Sequence, residues 1–337
     1  MLTIVGRRLI AALPSIAGVV VVTFLLTRLL PGDPAAYFAG PAATPQAIEE
    51  IRAKLGLDRS IPEQFAGYLA DLAQGDLGLS LTTGLPVVRE LATRLPASAE
   101  LTLAGLLFAV GIAVPLGILA AVRAGSWIDH ATRVVATAGV SLPTFFTGLL
   151  LVHVFYSLIP IAPAPMGRLD VFSSPPPHVT GFYLIDSLLT GDGETFRAAF
   201  AQLVLPALTL GIFALAPLAR MTRAAMLAAL GSDFVRAARA SGLTSARIVW
   251  VYAFRNAMLP VVTTLGMVFS FLLGANVLVE KVFSWPGIGS YAIEALIVSD
   301  YAPVQGFVLT MAFLYVLLNL AIDILYGVID PRMKVEA

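Results

Sequence analysis

The residues of this chain that could do chemistry are concentrated in one basic segment rich in small residues. Arg236-Ala-Ala-Arg239-Ala-Ser-Gly242 is followed by Arg247 and Arg255, so four arginines fall within twenty positions. Guanidinium groups pair with carboxylates, and alanines let another surface approach closely. In a chain that is 58% hydrophobic, this pattern indicates a contact for a soluble protein. A basic loop that only orients the chain in a membrane is the alternative.

Other kinds of chemistry have no motif in this sequence. It contains neither a G-x-x-x-x-G-K-[ST] phosphate loop nor an H-E-x-x-H metal motif. The absence of cysteine excludes disulfides and thiolate metal sites, and the three histidines (His130, His153 and His178) are scattered. We therefore expect no catalytic residue, no metal site and no cofactor on this chain.

The composition places the chain in a membrane. Charged residues make up 12% of it, about half of the usual fraction in soluble domains. Uncharged apolar runs reach the roughly 18–20 residues that a helix needs to cross the hydrocarbon. We predict an all-α polytopic protein with six transmembrane helices, in the runs 9–27, 101–122, 134–167, 198–219, 256–279 and 301–322.

Loop charges predict the orientation. With a cytoplasmic N-terminus, the inner segments hold twelve of the 21 basic residues and five of the 21 acidic ones. Basic residues concentrate on the cytoplasmic side of membrane proteins, so we expect both termini to be cytoplasmic. The equal numbers of acids and bases give no sign of a nucleic-acid partner.

Three parts follow along the chain: an N-terminal anchor helix (1–30), an extracytoplasmic helical loop (31–96) and a core domain (97–337). In the loop, Thr44 and Pro45 are typical of a helix start, and Gly56 of a helix end. Further short helices fit residues 62–74 and 86–94. The loop is either a lid of structural helices, which the sequence favours, or a docking or gating surface.

Later segments give more local expectations. Irregular structure is predicted around Ser173-Ser-Pro-Pro-Pro177, and an amphipathic piece around 291–298. Trp285 and Tyr291 are typical of the boundary between membrane and water. Prolines inside apolar runs tend to kink helices; they are Pro14, Pro115, Pro143, Pro206 and Pro217.

The cytoplasmic segment 221–255 predicts a short helix across the inner mouth of the bundle. Ser232 can cap it and Asp233 lies in its first turn. Gly242 can end it in a left-handed turn, and Ser245 can cap the next helix.

This segment resembles the EAA loop of binding-protein-dependent ABC importers, E-A-A-x-x-x-G followed by I-x-L-P. Arg236 stands where the Glu would be, Ala237, Ala238 and Gly242 match, and Leu259-Pro260 lies farther on. The variant is similar to that of the dipeptide/oligopeptide/nickel permeases. Similar motifs run along the chain: Arg7-Arg-Leu, Arg28-Leu-Leu-Pro-Gly-Asp-Pro34, Gly75-Asp-Leu-Gly-Leu-Ser80, Arg255-Asn-Ala-Met-Leu-Pro260, Glu280-Lys-Val-Phe-Ser-Trp-Pro-Gly-Ile-Gly289, Asp323-Ile-Leu-Tyr326 and Asp330-Pro-Arg332. Ser299-Asp300-Tyr301-Ala302-Pro303 departs from the usual Arg-Asp-Tyr-Pro.

The resemblance is to the first permease of such systems, of the dipeptide permease B-like type. It implies a type I ABC importer permease fold in a bacterial inner membrane, in contact with lipid. It also implies a second permease, two cytoplasmic ATPases that carry ATP and Mg, an extracytoplasmic solute-binding protein and a peptide substrate. The ATPases would be coupled through residues 232–246, with the contact and turn residues Asp233, Arg236, Ala237, Ala238, Arg239 and Gly242.

Other solutes and other classes of protein stay open at this point. Relatives of similar sequence carry nickel chelates, glutathione or sugars. A self-contained channel or secondary carrier would need ionisable residues near the midplane or a filter, and the sequence shows neither. A membrane scaffold without a transport role is the third alternative.

Overall fold

A computed structural model of the chain describes residues 2–29, 33–40 and 42–329. This part is helical and contains no β-strand, only an isolated antiparallel bridge between Leu79 and Pro86. Parts of the predictions fall outside the described residues. They are residues 30–32 and 330–332 of the quoted motifs, and Lys334 and Glu336, which were counted among the charges of the inner segments. The α-helices are α1 Leu2–Leu29, α2 Pro34–Ala39, α3 Pro45–Lys54, α4 Ile61–Ala73, α5 Val87–Val122, α6 Trp127–Ser141, α7 Thr144–Val152, α8 Tyr183–Thr190, α9 Gly193–Leu230, α10 Asp233–Ala240, α11 Ser245–Arg247, α12 Phe254–Val282, α13 Ile288–Ile297 and α14 Tyr301–Ile329. One π-helical stretch, His153–Leu158, continues α7, and another, Ile248–Ala253, joins α11 to α12.

Five of the six predicted spans are single helices in the described part, long and apolar enough to cross a membrane. The third predicted span is not the uninterrupted helix that the apolar run suggested: it is the pair α6–α7, bent by 99°, which makes a sixth span if the two helices cross together. The break falls at Leu142 and Pro143. Leu142 has extended backbone angles (φ −106°, ψ 139°), as a residue before proline prefers. Pro143 thus breaks its span, whereas Pro14, Pro206 and Pro217 lie inside continuous helices.

The prediction of a separate short helix at 86–94 is wrong. These residues form the first turns of α5, which runs through Pro96 to Val122. The predicted boundary at residue 96 therefore falls inside one helix. Pro86, directly before α5, does mark the start of a helix. The helix does not stop at residue 94, because no helix-ending residue interrupts it between residues 94 and 101.

The chain divides into two compact units, and the first comprises residues 1–98 and 286–316. Its short helices have the predicted ends: Thr44 Oγ1 accepts a hydrogen bond from Ala47 N at 3.3 Å, and Gly56 has φ +65°. The apolar face of α4 is covered by α1, since the rings of Phe65 and Phe24 lie 5.0 Å apart. The helix α4 of the predicted loop is thus packed against α1 within this unit.

The second unit, residues 99–285 and 317–337, is built around α9, which packs against α6, α7, α8 and α12. The α5–α9 contact is close because glycines face it. A Cβ added to Gly117 would lie 2.6 Å from Thr222 Cβ and 2.8 Å from the Ala219 carbonyl oxygen. Small residues at such contacts let helix backbones approach in a membrane protein.

The loop that enters α8 is held by a buried carboxylate. The stretch around residues 173–177 is irregular, as predicted. Farther on, Asp186 accepts hydrogen bonds from Val179 N, Thr180 N, Thr180 Oγ1 and Gly181 N. Burial raises the pKa of the Asp186 carboxyl, but these hydrogen bonds outweigh it and lower the pKa to about 2. Asp186 is therefore ionised at neutral pH and fixes this loop.

The two aromatic side chains expected at the membrane boundary are buried instead. Trp285 is 1% exposed, and Tyr291 is 4% exposed. Tyr291 packs with Val87, Leu91 and Ile288 inside the first unit. An aromatic ring serves equally well as core or as anchor, and residue type alone does not separate the two.

Replacing Gly117 by alanine should destabilise the chain, because the added methyl group meets the backbone of α9. We expect the free energy of unfolding to fall by about 1–3 kcal/mol, measured as a lower melting temperature of the purified protein. Gly111→Ala in the same helix is the matched control, since a Cβ there has no neighbour within 4 Å. Equal melting temperatures for the two variants would contradict the packing described.

Candidate functional site

The candidate site is the segment 232–246, which connects the spanning helices α9 and α12. Ser232 precedes α10 with extended angles (φ −76°, ψ 158°), at the position predicted for the cap. Its hydroxyl donates to the Ala229 carbonyl oxygen at 2.5 Å and accepts no bond from α10. Ser232 thus occupies the capping position without capping. The next helix follows Thr244, not Ser245, which is already in α11.

The helix α10 has one apolar face, turned into the protein. Val235 is fully buried and Ala238 is 7% exposed. They pack with Ile248, and Leu230 and Leu243 complete this cluster. The apolar residues at positions i and i+3 lie on one face of a helix. A small core therefore fixes how α10 is rotated about its own axis.

The opposite face carries most of the predicted contact residues. Asp233, Arg236, Ala237 and Arg239 are exposed. Ala238 is the exception, because it points into the cluster with Val235. The adjacent alanines Ala237 and Ala238 were expected to act together in close approach. The structure places them on different sides of the helix.

Gly242 ends α10 in the left-handed turn predicted for it, with φ +75°. The turn is a Schellman motif. Leu243 N donates to the Ala238 carbonyl oxygen at 3.3 Å, and Gly242 N donates to that of Arg239 at 3.0 Å. Since a side chain in this conformation costs about 1–2 kcal/mol, glycine is needed for the backbone here, not for space: no atom lies within 4 Å of the position of a Cβ.

The exposed face is basic and weakly paired. Arg236 forms an ion pair with Asp233 one turn away, with the two side chains 73% and 87% exposed. Exposed pairs of this kind contribute little to stability. Arg239 has no acidic partner among the residues that the structure describes. The arginine side chains of this face are therefore accessible to the carboxylates of a partner, and pairing with them would cost the fold little stability.

An ion pair that the sequence did not predict holds the end of α9 from which the segment continues. Arg223 donates from Nε to Asp129 Oδ1 at 2.5 Å and from Nη2 to Oδ2 at 2.7 Å. Asp129 is 1% exposed and also accepts from Gly125 N at 3.0 Å. In the sequence, both residues stand only among the charges of the inner loops. The spacing Ser126-x-x-Asp129 is typical of a helix start, and it was the signal in the sequence that could have placed Asp129 in the first turn of α6.

Apolar packing supports the same region. Ile118 and Ala121 of α5 form a buried cluster with Met226 and Ala229 of α9, together with Ala253 and Ala257. In the described ranges 2–29, 33–40 and 42–329, no three histidine, aspartate or glutamate side chains come together as a metal site would require. The arrangement is that of a rigidly mounted surface helix, suited to contact with another protein.

Comparison with known proteins gives a consistent result along the chain. The family model for the binding-protein-dependent transport system inner membrane component matches residues 113–335, and the model for the N-terminal part of such components matches residues 1–102. Among similar curated proteins, the probable D,D-dipeptide transport system permease protein DdpB of Escherichia coli K12 is 47% identical over 94% of this chain and 93% of its own length.

Two further relatives extend over nearly the full length of both chains. The di/tripeptide transport system permease protein DppB of Pseudomonas aeruginosa UCBPP-PA14 is 44% identical over 99% of each chain. The glutathione transport system permease protein GsiC of Escherichia coli O6:H1 is 37% identical, again over 99% of each. Identity is thus higher to the two peptide permeases than to the glutathione permease.

Enlarging Ala238 should disturb α10, whereas enlarging Ala237 should not. Leucine at 238 overfills the cluster with Val235 and Ile248, at a cost of about 1–3 kcal/mol. We expect faster hydrogen exchange of the Ser241, Gly242 and Leu243 amides in Ala238→Leu. Ala237→Leu is the matched control, because its side chain is exposed. Similar exchange in both variants would show that the two faces are assigned wrongly.

Proposed function

This chain belongs to the family of binding-protein-dependent transport system inner membrane components, and from that premise we propose that it is a permease subunit importing di- or oligopeptides with energy from ATP. It is a multi-pass membrane protein of this family's helical permease fold. The observation that carries the substrate class is the 44% identity over 99% of both chains to a di/tripeptide permease.

The proposed assembly contains a second, homologous permease, two cytoplasmic ATPases and an extracytoplasmic solute-binding protein. The sequence supports a division of labour, since it lacks a phosphate-binding loop of its own. ATP and Mg would be bound by the ATPases, and this chain would be the non-catalytic subunit. The charge distribution of the loops supports a topology with both termini in the cytoplasm.

We assign coupling to the exposed face of α10. Asp233, Arg236, Ala237 and Arg239 would contact an ATPase, while Ala238 and Gly242 would hold that face in position. ATP binding can shift the permease between two states only to the extent that the ATPase contacts differ between them. The helix α10 is held by its own core and directly follows α9, which the Asp129–Arg223 pair ties to α6. Such an arrangement would pass a difference in ATPase contacts to the spanning helices.

Uptake measurements test the substrate class. Cells that express this chain with its partner subunits should accumulate radiolabelled dialanine, and unlabelled dipeptide should compete better than glutathione. The higher identity to peptide permeases than to the glutathione permease supports this order. Strong competition by glutathione without competition by dipeptides would favour the glutathione alternative.

Coupling makes a separate prediction. Ala237→Leu leaves α10 folded but enlarges the face that meets the ATPase, so uptake and substrate-stimulated ATP hydrolysis should fall at least about tenfold, the equivalent of 1.4 kcal/mol of coupling. Gly242→Val should have the same effect through backbone strain. Membrane insertion should be unchanged in both variants.

The matched control is Ala66→Leu, an equal enlargement at an exposed position of α4. It should retain normal uptake. If Ala237→Leu and Gly242→Val also transport and hydrolyse ATP normally, the coupling role of α10 is excluded.

A further inference from the structure

The first unit contains a cavity that the proposed coupling does not use. Its volume is about 300 Å³, and its walls come from α1, α4, the stretch 76–81 and the start of α14. This volume lies at the lower end of the range of small-molecule sites, about 300–1,000 Å³. Unlike the neighbouring groove against α1, which is almost entirely apolar, this cavity is lined by several charged and polar side chains.

Asp300 supplies a carboxylate oxygen without a partner. Its side chain is 1% exposed. Oδ2 accepts hydrogen bonds from Ser80 Oγ at 2.8 Å, Thr82 N at 3.1 Å and Thr82 Oγ1 at 3.2 Å. Oδ1 is buried and accepts none from the part of the chain that the structure describes. Burying a charged oxygen without a partner is costly, so this wall of the cavity is suited to a cationic donor.

Tyr68 supplies a second buried polar atom of the same kind. Its ring is stacked on Phe24 with the centroids 5.7 Å apart. Its hydroxyl is buried and has no partner in the described ranges. Tyr68 and Asp300 both line the cavity. Two unpartnered polar atoms at one cavity indicate a polar ligand, because buried polar groups are otherwise hydrogen-bonded.

Arg28 supplies the opposite charge. Its guanidinium lies 4.2 Å from the centroid of the Phe24 ring, and its polar partners are neutral: Gln64 Oε1 at 3.4 Å and Thr27 Oγ1 at 3.1 Å. Within the described residues it has no carboxylate partner. An arginine held over a ring with its charge uncompensated can bind a carboxylate through two parallel hydrogen bonds.

The remaining charged groups at the cavity are occupied or exposed. Glu63 Oε2 accepts bonds from Ser60, and Asp76 Oδ1 accepts one from Gly78 N. Arg59 and Asp71 also line the cavity but are exposed to solvent. Among the described lining residues, the two charged groups without an ion-pair partner and away from bulk solvent are thus Asp300, which is buried, and Arg28, which is half-buried.

We infer that this cavity binds a small zwitterion of amino-acid or dipeptide size, with its ammonium group at Asp300 and its carboxylate at Arg28 and Tyr68, which both lie against Phe24. The requirement for one ammonium and one carboxylate rests on the cavity alone. The choice of a dipeptide as probe rests on the proposed function. Such a site would let the permease itself recognise a free zwitterion, separately from any binding protein.

The test uses the full-length chain in lipid nanodiscs with the subunits that copurify with it, and no binding protein. Radiolabelled dialanine is bound at equilibrium and displaced by dialanine, N-acetyl-dialanine or dialanine amide. We expect free dialanine to compete at least about tenfold better than either blocked form, since each loses one charge-assisted contact.

Variants assign each end of the ligand. Asp300→Asn should abolish the preference over the N-acetylated form and keep the preference over the amide, and Arg28→Gln should do the reverse. Tyr68→Phe removes a hydroxyl that has no internal partner, so it should weaken dialanine binding about threefold, within the range for one hydrogen bond, without unfolding the unit. Asp58→Asn, at an exposed position outside the cavity, should bind as the wild type does.

Three results would overturn the inference: no binding of dialanine, equal competition by free and blocked dipeptides, or equal affinities in Tyr68→Phe, Asp300→Asn and Asp58→Asn. Should Asp300→Asn fail to fold, the blocked ligands and Tyr68→Phe still decide. Dialanine uptake by a wild type whose cavity binds nothing refutes this site and leaves the proposed function intact. Binding in the cavity without dipeptide uptake refutes the proposed function and leaves the site.

Discussion

The structure depends on one constraint, that a backbone surrounded by hydrocarbon must satisfy its own hydrogen bonds. The apolar runs must therefore form helices, and a departure from regular helix needs a local cause. The bend of 99° between α6 and α7 falls at Pro143, where a donor is already missing. Because helices cannot gain much from apolar contact with each other in lipid, close approach at glycines such as Gly117 supplies the packing.

The sequence predicted what periodicity, length and turn chemistry determine. The five unbroken spans, the Thr44 cap and the left-handed Gly242 all follow from properties of a few neighbouring residues. What it missed depends on contacts between distant residues. Trp285 and Tyr291 are core instead of surface because of what packs around them, and Asp129 meets Arg223, 94 positions away. The continuity of α5 through Pro96 was missed for a related reason: the helix persists because its first turns pack in the Val87–Leu91 cluster.

The candidate site shows the same division within the segment 232–246. That α10 exists, and that Gly242 ends it, could be predicted from helix-end chemistry. Which alanine faces outward could not, because the rotation of α10 is set by Val235 and Ala238 packing against Ile248. Ser232 shows how a neighbouring element can override a local pattern. Its hydroxyl donates a hydrogen bond to the Ala229 carbonyl oxygen at the end of α9, so the first turn of α10 has no side-chain cap.

This division changes how a short motif of the Ala-Ala-x-x-x-Gly kind should be understood. Its members do not form one contact surface. Ala237 is exposed, Ala238 belongs to the core that orients the helix, and Gly242 shapes the backbone that ends it. A substitution at each position therefore removes a different quantity: surface complementarity, helix orientation or turn geometry. Loss of function at any one of them is by itself no evidence of contact with a partner, and only exposed positions on a helix shown to stay folded can report on the interface.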